Sequence, residues 1–283
     1  MKEFTPTKLF LGITLTLFFF ASNSLLCRWA MAEHTIDAYS FTFLRLLSGA
    51  LALQLILYYK NRSLSFDMKK NWLSSFMLFC YAISLSYAYI DIDTGLGALI
   101  LFAIVQLSMV LSALFLKEVL PFQKIIGLAV AFMGLGFLLF PKGDIELSYI
   151  HVLLMMLSGL AWAVYTLLGK KSVQPLKHTA DNFLKSLVYV AISFIFIESW
   201  FVSLEGLILA LISGAITSGI GYALWYFLLP KITIITASVV QLIVPVIAIF
   251  LGLLFLQEEI SLTLIISTVI ILSGILLCIT KKA

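Results

Sequence analysis

The chain has 283 residues, of which 62% are hydrophobic and 11% are charged, and its mean hydropathy is +1.12. Soluble globular domains are about 45–50% apolar and about 25% charged, so this composition excludes a soluble globular protein. We attribute the formal net charge of +4 to the orientation of the chain in the membrane and to contacts with lipid headgroups. We expect no nucleic-acid partner.

Ten apolar segments follow one another along the chain. Each has about 20 residues, the length with which an α-helix crosses ~30 Å of hydrocarbon. The predicted spans are roughly residues 8–31, 37–59, 71–90, 94–116, 122–140, 149–169, 181–203, 206–228, 233–256 and 261–280. No connection is long enough to hold a soluble domain, and long unbroken apolar runs favour helices over barrel strands. We therefore predict an all-α polytopic membrane protein with ten transmembrane helices that form one domain, residues 1–283.

The amino-terminal segment has one alternative interpretation. Lys2 and Lys8 precede an apolar run, as they would in a secretory signal peptide. The apolar run continues to Ala32, beyond the short hydrophobic region of such a peptide, which favours a membrane helix. The three cysteines fall in different predicted helices without a C-x-x-C pairing, so we interpret them as apolar core residues.

The basic residues of the connections indicate the orientation. If both termini are cytoplasmic, almost all lysines and arginines outside the spans lie inside, and Lys142 alone lies on the outer side. Basic residues are enriched in the cytoplasmic connections of membrane proteins, so this arrangement predicts that both termini are cytoplasmic.

The two halves of the sequence resemble each other. Leu114–Glu118 and Leu254–Glu258 align at an offset of 140 residues. Five helices in each copy place the second copy upside down in the membrane, so we predict two inverted repeats, residues 8–142 and 147–280. Inverted repeats are typical of transporters that alternate between two states around a midplane site. The pattern therefore favours a secondary transporter over a receptor, a scaffold or a membrane enzyme.

Three segments resemble a known family: Leu160–Thr166, Thr217–Trp225 and Ala237–Glu258. They are similar to the ten-helix EamA-type branch of the drug/metabolite transporter superfamily, along essentially the whole chain. Arg45 matches an arginine that this family often places in helix 2. The family usually has a helix 4 proline near position 105, where this chain has Val105-Gln106. The resemblance implies a small-molecule transporter and leaves its cargo open.

Helices 4 and 9 contain the first candidate binding residues. Pro245 lacks an N–H and frees the carbonyl of Gln241 in helix 9, and Gln106 is the nearest equivalent in helix 4. Freed backbone groups in membranes are tolerated where they face a cavity, so all three residues are candidates for substrate binding. The alternatives are a packing kink for Pro245 and hydrogen bonds between helices for the glutamines.

Aromatic side chains form the second candidate set. They are Tyr81 in helix 3, Trp162 and Tyr165 in helix 6, and Tyr222 and Trp225 in helix 8. Helix packing is the alternative for each one. As a group they predict a cavity with flat amphipathic walls, suited to aromatic or other apolar groups.

Charged and amide side chains within the spans form the third set. Arg45 lies about eight residues into helix 2, roughly 12 Å deep, where an unpaired charge costs at least ~2.5–3.5 kcal/mol. Its guanidinium suits a carboxylate or phosphate in a cavity, and snorkelling towards the lipid surface is the alternative. Lys185, which aligns with Arg45, is predicted to be shallower, as an interface anchor or gate. Asn23 lines the cavity or bonds to a neighbouring helix, and Glu118 and Glu258 cap following turns or form gates.

No carboxylate lies in the middle of a predicted span, which favours uniport or exchange over tight proton coupling. The sequence has no phosphate-binding loop, H-E-x-x-H motif or metal-ligand cluster, so we expect no enzyme, cofactor or metal. The leading hypothesis is export of amino acids or related small metabolites across the cytoplasmic (inner) membrane of a bacterium, by alternating access. The alternatives are an organic-cation or drug carrier of the same fold, or a membrane protein that does not transport. The partners expected are a small-molecule substrate and the lipid bilayer, and the oligomeric state stays open.

Overall fold

The computed structural model describes residues 6–115, 122–140, 148–169, 172–196, 200–232, 237 and 240–279. Their helices are α1 Pro6–Ala32, α2 Ala38–Asn61, α3 Trp72–Ala88, α4 Thr94–Phe115, α5 Phe122–Leu139, α6 Tyr149–Gly169, α7 Pro175–Ser193, α8 Leu204–Lys231, α9 Ile243–Leu256 and α10 Leu262–Ile279. In these ranges no β-strand occurs, only an isolated bridge between Ile36 and Val202. The all-α prediction is confirmed.

The molecule is apolar outside and partly polar inside. Large hydrophobic side chains such as Phe10, Leu51 and Phe250 are more than half exposed, whereas Arg45 and Lys185 are almost completely buried. This distribution is typical of a protein whose surroundings are lipid, because polar groups there must find partners inside the bundle. Among the described residues, four helices are long and apolar enough to cross a bilayer: Thr7–Ala32, Ala38–Asn61, Tyr149–Gly169 and Leu204–Lys231. Shorter apolar helices accompany them.

The predicted bounds of α7 are wrong by several residues. The hydropathy pattern predicted a span over 181–203, but the helix runs from Pro175 to Ser193 and continues as a 3-10 turn, Phe194–Phe196. Pro175 lies at the helix start, where its fixed φ is favourable and its missing N–H costs nothing. The first turns are polar, which is why a search for apolar segments did not include them. Asp181, the first residue of the predicted span, therefore lies inside the helix, about two turns from its start.

Packing brings the elements of the candidate site together. Helix α2 packs against α7 and α8, α3 against α6 and α7, and α1 against α8 and α9, while α5 and α10 pair with each other. The α5–α10 contact is close at Gly274, where a Cβ atom would lie 2.5 Å from the Ala131 nitrogen. The site described below therefore lies among α1, α2, α3, α4, α6 and α8.

Helix α8 contains an irregular segment. Its α-helical ends, Leu204–Ile212 and Gly221–Leu228, flank an eight-residue π-helix, Ser213–Ile220. Such segments are rare and occur frequently at functional sites. Gly214 lets this segment approach α2 closely, since a Cβ there would lie 2.1 Å from the Arg45 carbonyl oxygen.

Candidate functional site

The Arg45 guanidinium lies at the centre of the site and is buried, with 1% of the residue exposed. Its Nε donates to the Ser218 hydroxyl at 3.0 Å, and its Nη2 donates to the hydroxyls of Tyr222 at 2.9 Å and Tyr81 at 3.2 Å. Its Nη1 has no hydrogen-bond partner within the described part of the chain. The ion pairs found among those residues do not include Arg45. The guanidinium therefore points into the bundle, away from lipid, with an open donor and with no compensating carboxylate among the residues that the structure describes.

Asn23 ties the same network to α1. Its Nδ2 donates to the Tyr81 hydroxyl at 3.1 Å, and its Oδ1 accepts bonds from three side chains of the π-helical segment. These donors are Ser213 at 2.8 Å, Ser218 at 3.2 Å and Thr217 at 3.3 Å. Sequence reasoning missed these hydroxyls as site residues, because small polar residues in a membrane helix are also typical of close helix packing. The sequence does contain one sign of a site here, namely three hydroxyl residues within six positions, 213–218.

Aromatic rings cover one side of this network. The Trp162 ring lies 4.7 Å from Tyr222, 4.9 Å from Tyr81 and 5.5 Å from Phe20, between ring centroids. Trp225 joins the group through Phe20, at 5.7 Å. The indole N–H groups of Trp162 and Trp225 are buried without a hydrogen-bond acceptor among the residues described. The predicted members Asn23, Arg45, Tyr81, Trp162, Tyr222 and Trp225 are thus brought together.

The cavity inside this group is small. It is lined by Phe20, Ser24, Tyr81, Leu101, Phe102, Trp162 and Tyr222, and its volume is about 10 Å³. That volume is close to what one water molecule needs, whereas small-molecule sites are typically about 300–1,000 Å³. This cavity is therefore too small for a small-molecule substrate, because the aromatic side chains pack against each other.

Seven of the ten predicted binding residues lie outside the cavity lining, and of these Asn23, Arg45 and Trp225 belong to the network beside it. The Tyr165 hydroxyl accepts a bond from Asn182 at 3.4 Å, and its ring packs against Trp162 at 5.6 Å, so it extends the aromatic group towards α7. Gln106, Gln241 and Pro245 are buried, and the helices that contain Gln106 and Pro245, α4 and α9, pack against each other. The Gln241 amide donates to the Ala237 carbonyl, four residues earlier, at 3.0 Å.

Lys185, predicted as an interface anchor or gate, is fully buried against the connection between α2 and α3. Its Nζ donates to the Asp181 carboxylate at 2.7 Å and to the backbone carbonyls of Asp67 and Lys70. The same carboxylate accepts bonds from the Asp67 N–H at 2.9 Å and from the Asn71 amide at 3.1 Å. This group, the Asp181–Lys185 pair, holds the α2–α3 connection against α7.

Glu258 links the carboxyl-terminal half to the start of α4. Its carboxylate accepts bonds from the Thr94 N–H at 2.8 and 2.9 Å and from the Thr94 hydroxyl at 2.9 Å, and it lies 3.6 Å from the Arg28 Nε. Arg28 also donates to the carbonyls of Tyr89 and Ile90, both at 2.9 Å. A carboxylate at a helix N-terminus is favourable for hydrogen bonding and for the helix dipole. Glu258 therefore caps α4 rather than its own turn; Glu118, the other predicted gate residue, lies outside the described residues.

The surroundings of Glu258 change its acidity. The residue lies between α9 and α10, outside the membrane-spanning helices. Burial raises the pKa of the Glu258 carboxyl, and the bonds from Thr94 and the charge of Arg28 oppose this effect only in part. The proton equilibrium of this contact thus differs from that of an exposed glutamate.

Similar proteins come from bacteria and archaea. An uncharacterized protein of Pseudomonas aeruginosa is 43% identical over 93% of this chain and 91% of its own length. A Bacillus subtilis protein named as an uncharacterized transporter is 26% identical, over 86% of this chain and 87% of its own. An uncharacterized transporter of Archaeoglobus fulgidus is 27% identical over 71% of this chain and 74% of its own. A solved crystal structure with 17% identity covers 94% of this chain and 98% of its own, with a TM-score of 0.67, and shows a shared fold.

The family is shown by two matches that together span most of the chain. The sequence model of the EamA-like transporter family matches residues 7–140 and again residues 149–280. Together with the apolar helices and the transporter-named relatives, this indicates a multi-pass membrane transporter of a small molecule rather than an enzyme. The resemblance inferred from the motifs of helices 6, 8 and 9 is confirmed, and the chain belongs to the EamA-like transporter family.

Proposed function

We propose that the protein is a secondary transporter that exports amino acids or related small metabolites bearing a carboxylate across the cytoplasmic membrane. The observation that carries this proposal is the buried Arg45 guanidinium, which has an open Nη1 and no carboxylate partner among the described residues. An uncompensated charge is costly at depth in a membrane protein. A substrate carboxylate would neutralise it and match the planar donor fork of the guanidinium.

The aromatic side chains suggest how the rest of the substrate is bound. Tyr81, Trp162 and Tyr222 lie beside the guanidinium and present flat surfaces with polar edges. Such surfaces suit an apolar or aromatic side chain attached to the carboxylate-bearing end. The indole N–H of Trp162 is a further donor for a polar group of the substrate.

Transport requires the central site to open to each side in turn. On one side, the Asp181–Lys185 pair holds α7 against the α2–α3 connection. The Glu258–Thr94 contact joins α4 to the α9–α10 connection elsewhere in the bundle. We propose that the two are gates on opposite faces, released alternately by two inverted repeats whose termini are cytoplasmic. The positive-inside charge distribution and the two family matches support this arrangement.

The absence of a carboxylate from the middle of every predicted span favours uniport or exchange over tight proton coupling. One buried carboxylate, Asp181, lies about two turns inside α7, is 1% exposed and is paired with Lys185. The organic-cation alternative is weakened. A cationic substrate would add a second positive charge next to Arg45, and the described cavity lining contains no acidic residue.

Counterflow in proteoliposomes tests the proposal. The purified protein should exchange labelled amino acids across the membrane, and Arg45→Gln should lower this exchange about 10- to 150-fold, the range for lost hydrogen bonds to a charged group. Arg45→Lys keeps the charge but not the fork, so we expect an intermediate rate. Arg62→Gln, at the exposed end of the same helix, is the matched control and should exchange normally. Unchanged amino-acid counterflow in Arg45→Gln would contradict the carboxylate role, and exchange confined to organic cations would favour the alternative cargo.

A further inference from the structure

A second, larger concavity lies at the periphery of the bundle, apart from the central cavity. This lateral groove has a volume of about 720 Å³ and lies between the end of α2, the start of α7 and the second half of α8. Its apolar lining includes Leu57, Ile220, Leu224 and Phe227, and Ile220 and Phe227 are about two-fifths exposed. An open apolar groove of this size on a membrane protein is wide enough for acyl chains.

The charges at the groove are of one sign. Lys60 lies in the last turn of α2 and Lys177 in the first turn of α7, and both are exposed. The other polar residues of the described lining, Asn61 and Gln174, are neutral. The first turn of α7 has no acidic residue, so its positive helix end is not offset there.

We propose that the lateral groove binds an anionic diacyl phospholipid. The phosphate is held between Lys60 and Lys177, and the acyl chains follow Leu57, Ile220 and Leu224. Basic pockets between helices at the cytoplasmic surface attract anionic headgroups, and both lysines lie on that side in the proposed orientation. A zwitterionic lipid fills the same apolar walls without the net attraction to the two lysines.

The groove shares α8 with the Arg45 network. Ser218 and Tyr222 of this helix bond to Arg45, while Ile220 and Leu224 line the groove. A lipid in the groove therefore packs against the helical turns that position the central hydroxyls. This proposal concerns the lipid site itself and does not depend on the identity of the transported substrate.

Native mass spectrometry of the detergent-solubilised protein tests this inference. Titration with phosphatidylglycerol and with phosphatidylethanolamine of the same acyl chains should show preferential binding of phosphatidylglycerol. In the double variant Lys60→Gln/Lys177→Gln, the affinity for phosphatidylglycerol relative to phosphatidylethanolamine should fall about 30-fold. This change corresponds to ~1 kcal/mol for each lysine. The control Lys8→Gln/Lys69→Gln removes the same charge from exposed positions outside the groove and should keep the preference.

The apolar part of the site has its own test. Ala223→Trp places a large side chain in the groove and should reduce retention of both lipids, because the acyl chains are excluded. Equal binding of the two lipids by the unmodified protein would overturn the proposal, whatever the stability of the variants. The proposal would also be overturned if the groove and control double variants lost the preference for phosphatidylglycerol equally. The anionic lipid would then be attracted by the overall positive charge of the surface rather than by the groove.

Discussion

Arg45 in α2 and Lys185 in α7 are both buried cations, and they lie 140 residues apart at positions that align in the predicted repeat. Their surroundings differ completely. Lys185 is paired with the Asp181 carboxylate and with two backbone carbonyls. Among the described residues, Arg45 bonds to three hydroxyls and lies over the Tyr81 ring, 5.2 Å from its centroid, without a carboxylate. The Lys185 ammonium, neutralised by a carboxylate, holds helices and connections together. The Arg45 guanidinium, without such a carboxylate among the described residues, is available to bind an anionic substrate. The comparison suggests that corresponding positions in the two halves have taken different roles, one structural and one in binding.

Breaking the Asp181–Lys185 pair gives the largest effect that we expect on stability. Asp181→Asn leaves the Lys185 ammonium buried without a carboxylate, and removing one partner of such a pair typically costs about 3–5 kcal/mol. Thermal unfolding in detergent measures this loss. Glu33→Asn, at an exposed position, is the control and should change the midpoint little.

A double variant separates lost pairing from lost packing. Asp181→Asn/Lys185→Met removes both charges and should regain most of the stability that Asp181→Asn loses. If the double variant is as unstable as the single one, the pair contributes by shape alone. The contrast with Arg45 would then lose its electrostatic basis.

Arg45 should respond in the opposite way. Arg45→Met removes a buried charge that has no carboxylate partner, so we expect the unfolding midpoint to be unchanged or higher, while amino-acid counterflow falls about 10- to 150-fold. The measurement is the pair of values, midpoint and exchange rate, in one preparation. A large loss of stability would show that the hydroxyl network around Arg45 is structural and would weaken its role in binding.

Much of this architecture follows from the sequence, but the site follows only in part. Apolar segments of membrane length predict the helices, and a charge at depth singles out Arg45 without knowledge of its neighbours. Asp181 was missed because the first turns of α7 are polar, so the helix start is marked by Pro175 rather than by hydropathy. The cap that Glu258 places on Thr94 joins residues 164 positions apart, a tertiary contact that local patterns do not encode.

The π-helical segment of α8 shows the same limit. An α-helical wheel puts Ser213 and Thr217 on one face but places Ser218 roughly 140° from Ser213. The wider π-helix has a smaller angle between residues, and all three hydroxyls bond to Asn23. The sequence predicts that three residues lie near the central cavity because they lie at a similar depth in helices 4 and 9: Gln106, Gln241 and Pro245. They are buried, but the described cavity lining does not include them.

The Glu258 contact should have a smaller effect than the buried pair. Glu258→Ala removes the cap of α4 and one partner of Arg28, and loss of a helix cap typically costs about 0.5–2 kcal/mol. Thermal unfolding compared with Glu259→Ala, an exposed neighbour, isolates the capping contribution. Equal midpoints for the two variants would mean that the contact contributes nothing measurable.

The smallest effect that we expect is a pH dependence of this same contact. Because burial raises the pKa of Glu258, the folded protein binds that proton more tightly than the unfolded chain does. The associated stability is present at low pH and is lost as the pH rises through the folded pKa. Acidification should therefore stabilise the unmodified protein relative to Glu258→Gln, which cannot titrate at this position. Unfolding midpoints of both proteins over a series of pH values measure the difference, and a constant or reversed difference would show that burial does not control this carboxyl.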